Sequence, residues 1–202
     1  VIGIWDVLCE IGLPAGAKTM DRPAALHDSC GARGDAETQK AIRTLAAQLG
    51  CDLVETEFSG DRSPCCGYGG LTAYANREVA AEMTEKCLER SDAPFITYCM
   101  ACRDRFARQG HESRHILELI YGTDAGDPPD ISEKRWNRLT LKKELLHELW
   151  QEETAEMKLS YELNYTEEAR QMMDDRMILT DDVIAVLNDT YLRRGNHVDR
   201  CV

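Results

Sequence analysis

The feature that most constrains this chain is the sequence SPCCGYGG at residues 63–70. Neighbouring side chains on a β-strand point to opposite faces, so Cys65 and Cys66 can reach one object only from a turn or loop. Three of the four residues after the pair are glycines, which allow positive φ and a close approach of the backbone. We therefore predict a loop whose two thiols face a bulky bound group.

Two other segments place cysteines in a similar setting. The sequence HDSCG occupies residues 27–31, and YCMACR occupies residues 98–103. Together the three segments supply five thiols, which we interpret as the ligands of one metal centre: Cys30, Cys65, Cys66, Cys99 and Cys102. We interpret three isolated cysteines, Cys9, Cys51 and Cys87, as small core residues. We assign no role to Cys201.

The composition indicates a reducing environment for these cysteines. Nine cysteines in 202 residues are far fewer than a disulfide scaffold of this length needs. The sequence shows no signal peptide and no apolar run of membrane-spanning length, so we expect a cytoplasmic protein without direct membrane insertion. The net charge of −12 argues against a nucleic-acid partner.

Strand–loop–helix units follow one another through the first part of the chain. Three short stretches are predicted to be strands, and each is followed by a cysteine segment: residues 24–28, 52–57 and 94–98. Helices are predicted within residues 1–20 and over residues 35–49, 71–90, 103–109 and 115–121. This order is typical of an α/β fold, here a small Rossmann-like parallel sheet with helices on both faces. The cysteine loops then leave the carboxyl ends of the strands, where helix amino ends favour an anionic cluster.

The composition changes at residues 124–130, which we predict to be a linker. We therefore predict a cysteine domain over residues 1–125 and a mainly helical extension over residues 126–202. The extension is predicted to contain an amphipathic helix over about residues 131–152, an extended segment over residues 157–161 and two short helices. Thr180 is predicted to cap the last helix, which closes at residues 193–195. Its apolar residues, Trp136 and Trp150 among them, predict docking on the cysteine domain or on another chain.

The residues alone do not identify the bound group. A Cys-x-x-Cys pair is compatible with zinc, with a redox dithiol and with an iron–sulfur centre. A thioredoxin-like dithiol needs no third, fourth or fifth cysteine. A structural zinc ion takes four ligands, as does a cubane [4Fe–4S] cluster, so the fifth thiol is the informative one. A zinc-stabilised structural or docking domain with one spare thiol stays open at this point.

The cysteine spacing resembles that of a known family. Cys30 is followed by 34 residues, then by CCG at residues 65–67, by 31 further residues and by Cys-x-x-Cys at residues 99–102. This pattern resembles the cysteine-rich CCG domain of heterodisulfide reductase and of related iron–sulfur proteins. The sequence HDSC at residues 27–30 is similar to the His-Asp-Pro-Cys of that family, with serine in place of proline. The resemblance covers about residues 24–122.

The resemblance implies a cofactor and a function. In that family five cysteines bind a noncubane [4Fe–4S] cluster, a role that falls here to Cys30, Cys65, Cys66, Cys99 and Cys102. The implied function is an electron-transfer module or subunit of a heterodisulfide-reductase-like anaerobic oxidoreductase complex. The implied partners are oxidoreductase subunits or domains that contain flavin or iron–sulfur centres.

The chain departs from heterodisulfide reductase in one respect. The cysteine-rich polypeptide of that enzyme carries two such motifs, whose clusters face each other across the substrate, whereas this sequence shows one. A disulfide reductase active-site domain that works with a second cluster therefore stays an alternative. The chain begins at Val1 rather than at methionine, so we expect a trimmed chain or a fragment of a longer polypeptide with a partner joined upstream.

Residues beside the cysteines have simpler interpretations as well. His27 either forms a hydrogen bond near the cluster or orders its loop. Tyr68 and Tyr98 are predicted to shield the site rather than to react. Arg33 and Arg103 either offset the charge of the cluster or lie on the surface.

Overall fold

The computed structural model describes residues 2–152, 162–176, 178 and 180–188, without the side chains of Ser132, Asp174 and Asn188. The chain divides into two units, Val1–Pro128 and Pro129–Val202. Two predicted features and one cysteine lie outside the described residues: the extended segment at 157–161, the helix end at 193–195 and Cys201.

The first unit contains a parallel β-sheet. Within the described residues it has four strands: β1 (Ala24–His27), β2 (Leu53–Glu55), β3 (Phe95–Thr97) and β4 (Ser113–His115). The strand order is β2-β1-β3-β4, and every neighbouring pair is parallel. The predicted α/β fold with a parallel sheet is confirmed. The sequence does not predict the fourth strand, because its residues, Ser-Arg-His, include no aliphatic or aromatic hydrocarbon side chain.

Helices pack on both faces of this sheet. Those described in the first unit are α1 (Ile4–Ile11), α2 (Ala36–Gln48), α3 (Thr72–Ala75), α4 (Arg77–Leu88), α5 (Met100–Arg108) and α6 (Ile116–Tyr121). Helix α2 begins where the sequence predicts it, because the Asp35 carboxylate accepts a hydrogen bond from the Thr38 N–H. The single helix predicted over residues 71–90 is wrong. Asn76 has an extended backbone that separates α3 from α4, and its side chain caps α4 by accepting from the Val79 N–H.

Helix α5 begins three residues before the predicted start at Arg103. Cys99 has an extended backbone, with φ −128° and ψ 117°, and is the residue that precedes the helix. Nothing in the sequence Met-Ala-Cys that follows disfavours a helix. Cys102 therefore lies in the first turn of α5 rather than in a loop.

Alternating residues of β1 face two separate cores. Ala24 and Leu26 lie in the larger core, with residues of α2 such as Ile42 and Leu45. Ala25 faces the other side of the sheet. There it belongs to a smaller core, which we call the cysteine core, with Cys66, Cys87, Phe95, Cys102 and Phe106. The sheet thus supports the second and third cysteine segments from one face.

The second unit is helical in the part that the structure describes. Its helices are α7 (Ile131–Trp150), α8 (Glu167–Arg176) and α9 (Thr180–Asn188). Ion pairs join α7 to α9, from Arg135 to Asp182 at 3.3 Å and from Lys143 to Asp181 at 3.8 Å. The predicted helical extension is confirmed in this respect. Among the described residues, every helix is too short or too polar to cross a lipid bilayer.

Candidate metal centre

The three cysteine segments lie at the carboxyl edge of the sheet. Cys30 follows β1 and opens a short 3₁₀ turn, Cys30–Ala32. The pair at residues 65–66 lies in the connection from β2 to α3. Cys99 follows β3 directly and leads into α5, whose first turn holds Cys102. Because the strands are parallel, all three segments reach the same edge.

The structure brings the five predicted cysteines together in a group that we call the thiol site. The Cys30 thiol interacts with the thiols of Cys65 and Cys66. The thiols of Cys66 and Cys99 both form hydrogen bonds with the Cys102 thiol. All five sulfur atoms therefore belong to one connected set.

The thiols of this site are not joined to each other by covalent bonds. None of the eight cysteines that the structure describes forms a disulfide. In the same described part of the chain, no three cysteine, histidine, aspartate or glutamate side chains are arranged to hold a single metal ion.

Two of the thiols have a pKa below the usual value for cysteine. The pKa of Cys99 falls to about 5, first because the Cys102 thiol donates a hydrogen bond to it. The N–H groups of Cys102 and Ala101, at the amino end of α5, and the Ser29 hydroxyl lower it further. The pKa of Cys66 falls to about 7, again chiefly through the hydrogen bond from Cys102. At neutral pH the site therefore contains thiolate, the form that binds metals.

Two thiols of the site, Cys102 and Cys30, have a pKa above the usual value for cysteine. The pKa of Cys102 is raised chiefly by its hydrogen-bonding interaction with the Cys66 thiol and then by that with the Cys99 thiol. The pKa of Cys30 is raised by burial first and then by its neighbour Cys65. Binding of a metal group therefore has to release protons from the site, so its affinity should increase with pH.

Gly67 fixes the loop that carries the cysteine pair. Its φ is +90°, and a Cβ at this position would overlap the carbonyl oxygen of Ala80 in α4 and lie 3.1 Å from the carbonyl carbon. Only glycine allows the loop to approach α4 this closely. The Gly67 N–H also donates a hydrogen bond to the Cys65 Sγ at 3.4 Å. The glycine after the pair is therefore required by the geometry of the site.

Helix α4 holds the backbone of the cysteine pair. The Thr84 hydroxyl lies 2.8 Å from the carbonyl oxygen of Cys66, and it accepts a 2.8 Å hydrogen bond from Arg105 in α5. The Cys87 thiol donates to the carbonyl oxygen of Cys65 at 3.4 Å. The functional contacts of Thr84 and Arg105 are not predicted from the sequence. The sequence does contain one indication for Thr84, because it lies three residues before Cys87 and therefore on the same face of the helix.

Asp28 links all three cysteine segments. Its buried carboxylate accepts hydrogen bonds from the Tyr98 hydroxyl at 3.0 Å, from the Gly60 N–H at 2.6 Å and from Arg43 at 2.8 Å. Its carbonyl oxygen accepts a 2.6 Å hydrogen bond from the Ser63 hydroxyl. Burial opposes ionisation of Asp28, but the hydrogen bonds from Arg43 and Gly60 keep its pKa below the usual value. Asp28 is therefore an ionised residue that sets the relative positions of the three loops.

Residues 24–106 match the family model CCG, the cysteine-rich domain. The matched residues include all five cysteines of the thiol site. This region of the chain is a CCG domain. The match supports a metal-binding or iron–sulfur role of oxidoreductase type. None of the curated proteins compared with the chain matches it.

Two arginines of the CCG domain region have structural roles. Arg33 donates hydrogen bonds to the Ser63 carbonyl oxygen, so it orders the loop before the cysteine pair. Arg103 is buried and forms ion pairs with Asp104 at 3.3 Å and with Glu118 at 3.5 Å. The interpretation of Arg103 as a surface residue is wrong.

The two tyrosines that flank the cysteines differ in their environment. Tyr98 is buried, and burial raises the pKa of its hydroxyl, with a further contribution from the Asp28 carboxylate. Tyr68 is 37% exposed, and its hydroxyl lies 3.2 Å from the Tyr74 hydroxyl. Tyr98 therefore supports the loops from inside the fold, whereas Tyr68 lies at the surface of the CCG domain.

The cysteines outside the thiol site are packing residues where the structure describes them. Cys87 is 1% exposed and belongs to the cysteine core, as predicted. Cys9 and Cys51 are partly buried against the larger core. The Cys9 thiol donates to the Ala41 carbonyl oxygen at 3.5 Å. These three side chains need no metal to account for their positions.

His27 is a buried polar side chain of the CCG domain. It is 5% exposed, and its ring packs edge-on against the Phe106 ring with centroids 4.9 Å apart. Among the described residues, its Nε2 atom has no hydrogen-bond partner. Such a group costs about 1–3 kcal/mol when it is left unpaired.

The CCG domain has the donors that an iron–sulfur group requires. Cysteine thiolates are the usual ligands of such clusters, and five thiols are connected here, two of them with a lowered pKa. The Nε2 of His27, unpaired within the described part of the chain, is a polar atom available to a bound group. The residues present therefore fit an iron–sulfur group.

Proposed function

We propose that this CCG domain binds one noncubane [4Fe–4S] cluster through Cys30, Cys65, Cys66, Cys99 and Cys102. The observation that carries the proposal is that all five thiols form one interacting set at the carboxyl edge of the sheet. When bound, the cluster supplies one-electron chemistry. The protein contributes thiolate ligands, loops held in place by Asp28 and helix α4, and buried surroundings on the side of the cysteine core.

The number and arrangement of the thiols favour a cluster over a single zinc ion. A structural zinc ion takes four ligands in a tetrahedron, which would leave the fifth thiol without a function. A polynuclear group extends further and can be contacted from several loops. Cys30 interacts with Cys65 and Cys66, and Cys102 interacts with Cys66 and Cys99, so thiols from three segments are available to the larger group.

Metal and sulfide analysis tests the cluster assignment. Full-length protein is purified without oxygen and supplied with iron and sulfide. We expect brown protein with about four irons and four sulfides per chain. Colourless protein that retains one zinc ion per chain after the same treatment would overturn the assignment in favour of a zinc-stabilised domain.

We propose that the domain transfers electrons within a heterodisulfide-reductase-like oxidoreductase complex. Cys30, Cys65 and Cys99 are partly exposed, whereas Cys66 and Cys102 are buried. A cluster held by these residues would lie near the surface of the sheet edge, where a flavin or iron–sulfur centre of a partner could approach it. The anaerobic, multi-subunit setting rests on the family resemblance.

Turnover experiments separate electron transfer from catalysis within this chain. Cluster-loaded protein is mixed with a small disulfide and an artificial electron donor. We expect no turnover until a second cluster-bearing subunit is added, because the chain has one cysteine motif. Rapid reduction of the disulfide by the isolated chain would instead make it a disulfide reductase by itself.

We propose that the second unit is a docking extension. Helix α7 carries exposed apolar side chains on several of its turns: Trp136, Leu141, Leu145, Leu149 and Trp150. Exposed apolar surface of this kind is typical of protein interaction sites. Deletion of residues 131–202 should leave the iron content intact, since all five cysteines precede them, but abolish co-purification with the partner. Unchanged co-purification would contradict the docking role.

A further inference from the structure

His27 is the first residue of the segment that carries Cys30, and its ring contacts the helix that carries Cys102. It is the last residue of β1, three residues before Cys30. Side chains alternate along a strand, so His27 faces the same side as Ala25, the side of the cysteine core. Its ring packs against Phe106, which lies one helical turn after Cys102 in α5. His27 is therefore close in sequence to Cys30, and its ring contacts a residue one helical turn from Cys102.

The surroundings of the imidazole are apolar. The Phe95 ring lies edge-on with its centroid 6.4 Å away, and the Phe106 ring is closer, at 4.9 Å. The His27 side chain is nine-tenths buried or more, and Nε2 has no partner among the residues that the structure describes. A buried polar atom that is left unpaired is costly, so Nε2 is available to accept a hydrogen bond from a bound group or to donate one to it.

The imidazole is neutral at physiological pH and carries one N–H group. Burial is the main reason that the pKa of His27 falls to about 4, and Arg90 lowers it further against the opposing effect of Asp28. A neutral imidazole with its proton on Nε2 is a hydrogen-bond donor without net charge. Such a donor can contact an anionic sulfur atom in an apolar environment.

We propose that the Nε2–H of His27 donates a hydrogen bond to a sulfur atom of the iron–sulfur group held at the thiol site. This inference rests on the proposed function and adds a residue to it that is not a ligand. His27 is then a positioning residue that adjusts the redox potential of the group. Reduction places more negative charge on the sulfur atoms, so a donor at this position stabilises the reduced state and raises the midpoint potential.

The first measurement is a redox titration of cluster-loaded, full-length protein. Replacement His27→Phe keeps the aromatic packing but removes the donor, whereas His27→Gln keeps an N–H donor. We expect His27→Phe to bind iron and sulfide as the wild type does but to lower the midpoint potential. The expected change is about tenfold in the ratio of reduced to oxidised cluster at a fixed potential, about 59 mV for a one-electron couple. His27→Gln should recover part of this shift.

A matched histidine provides the control. His111 also packs against Phe95, with ring centroids 5.2 Å apart, but it is only partly buried. His111→Gln should leave both the iron content and the potential unchanged. An equal shift in His111→Gln and His27→Phe would show a general packing effect and overturn the proposal.

A second measurement tests the contact without relying on folding of a variant. Wild-type protein labelled with ¹⁵N-histidine is loaded with the cluster and studied by electron–nuclear double resonance in its paramagnetic state. We expect a hyperfine coupling from one histidine nitrogen that disappears in His27→Phe and persists in His111→Gln. Absence of any histidine coupling in the wild type overturns the inference, even if His27→Phe does not fold.

The outcomes separate this inference from the proposed function. A wild type that binds four irons but shows no histidine coupling and no potential shift in His27→Phe overturns the role of His27 alone. A wild type that binds no iron overturns the proposed function and this inference with it.

Discussion

The Tyr98 hydroxyl donates a 3.0 Å hydrogen bond to the Asp28 carboxylate, and both side chains are buried. The two residues are 70 positions apart, and each belongs to a cysteine segment. The same carboxylate accepts from the Gly60 N–H, near the loop that carries the cysteine pair. The relative positions of the three loops therefore depend on one ionised side chain, before any metal is bound.

Tyr98→Phe should lower the free energy of unfolding of the cluster-free protein by about 1–3 kcal/mol. The replacement removes a hydrogen bond to a buried charge, a class of interaction worth about this much. Urea denaturation followed by circular dichroism measures the change. Iron uptake should also fall, because the loops that carry Cys30 and Cys99 lose a direct connection.

Tyr121→Phe is the matched control for this prediction. Tyr121 is exposed on α6, so the loss of its hydroxyl should change the free energy of unfolding by less than about 0.5 kcal/mol. Equal effects of the two replacements would contradict the role of the Tyr98–Asp28 hydrogen bond.

Gly67→Ala should prevent normal iron binding. The added methyl group would overlap the Ala80 carbonyl oxygen, and the φ of +90° disfavours any side chain. Gly110→Ala is the control, since Gly110 has φ +76° but no described atom within 4 Å of the added Cβ. We expect Gly110→Ala to lose about 1 kcal/mol of stability from the backbone alone while retaining its iron. Full iron content in Gly67→Ala would disprove the close approach of the loop to α4.

His27 should make the cluster-free protein sensitive to acid. Burial lowers the pKa of His27 from the ordinary 6.5 to about 4, so between these values the unfolded chain binds a proton that the folded chain does not. The stability that depends on neutral His27 is therefore complete above pH 6.5 and is lost as the pH falls toward 4. The full difference amounts to about 3 kcal/mol.

Urea denaturation at about pH 7.5 and at about pH 4 measures this effect. Wild type should lose about 3 kcal/mol more than His27→Phe over this range, because the variant has no imidazole to protonate. Parallel losses in wild type and His27→Phe would mean that His27 is not buried in neutral form.

The sequence predicts the parts of this fold that depend on local patterns. Asp35 marks the start of α2, and the short apolar runs before each cysteine segment are strands. The common edge of the three loops follows from parallel strand order alone. The spacing of five thiols then suffices to nominate the site, because few other uses require so many cysteines in this arrangement.

The parts that the sequence does not predict depend on contacts between distant residues. The carboxylate of Asp28 meets Arg43, Gly60 and Tyr98 only after the sheet and loops have packed. Strand β4 has no alternating apolar pattern and owes its place to pairing with β3. The break between α3 and α4 occurs at a single polar residue, Asn76, inside an otherwise helical pattern. Hydrophobic periodicity alone therefore predicts one continuous helix.

Iron and acid-labile sulfide per chain, measured in a set of single Cys→Ser variants, test the central claim most directly. The set comprises the five cysteines of the thiol site, with the partly buried Cys51 as the control. The site cysteines are Cys30, Cys65, Cys66, Cys99 and Cys102. We predict about four irons and four sulfides in wild type and Cys51→Ser, and a clear loss in each of the other five variants. Full retention in any one of the five, with loss in the remaining four, would contradict a cluster bound by five cysteines and would indicate a four-thiol site.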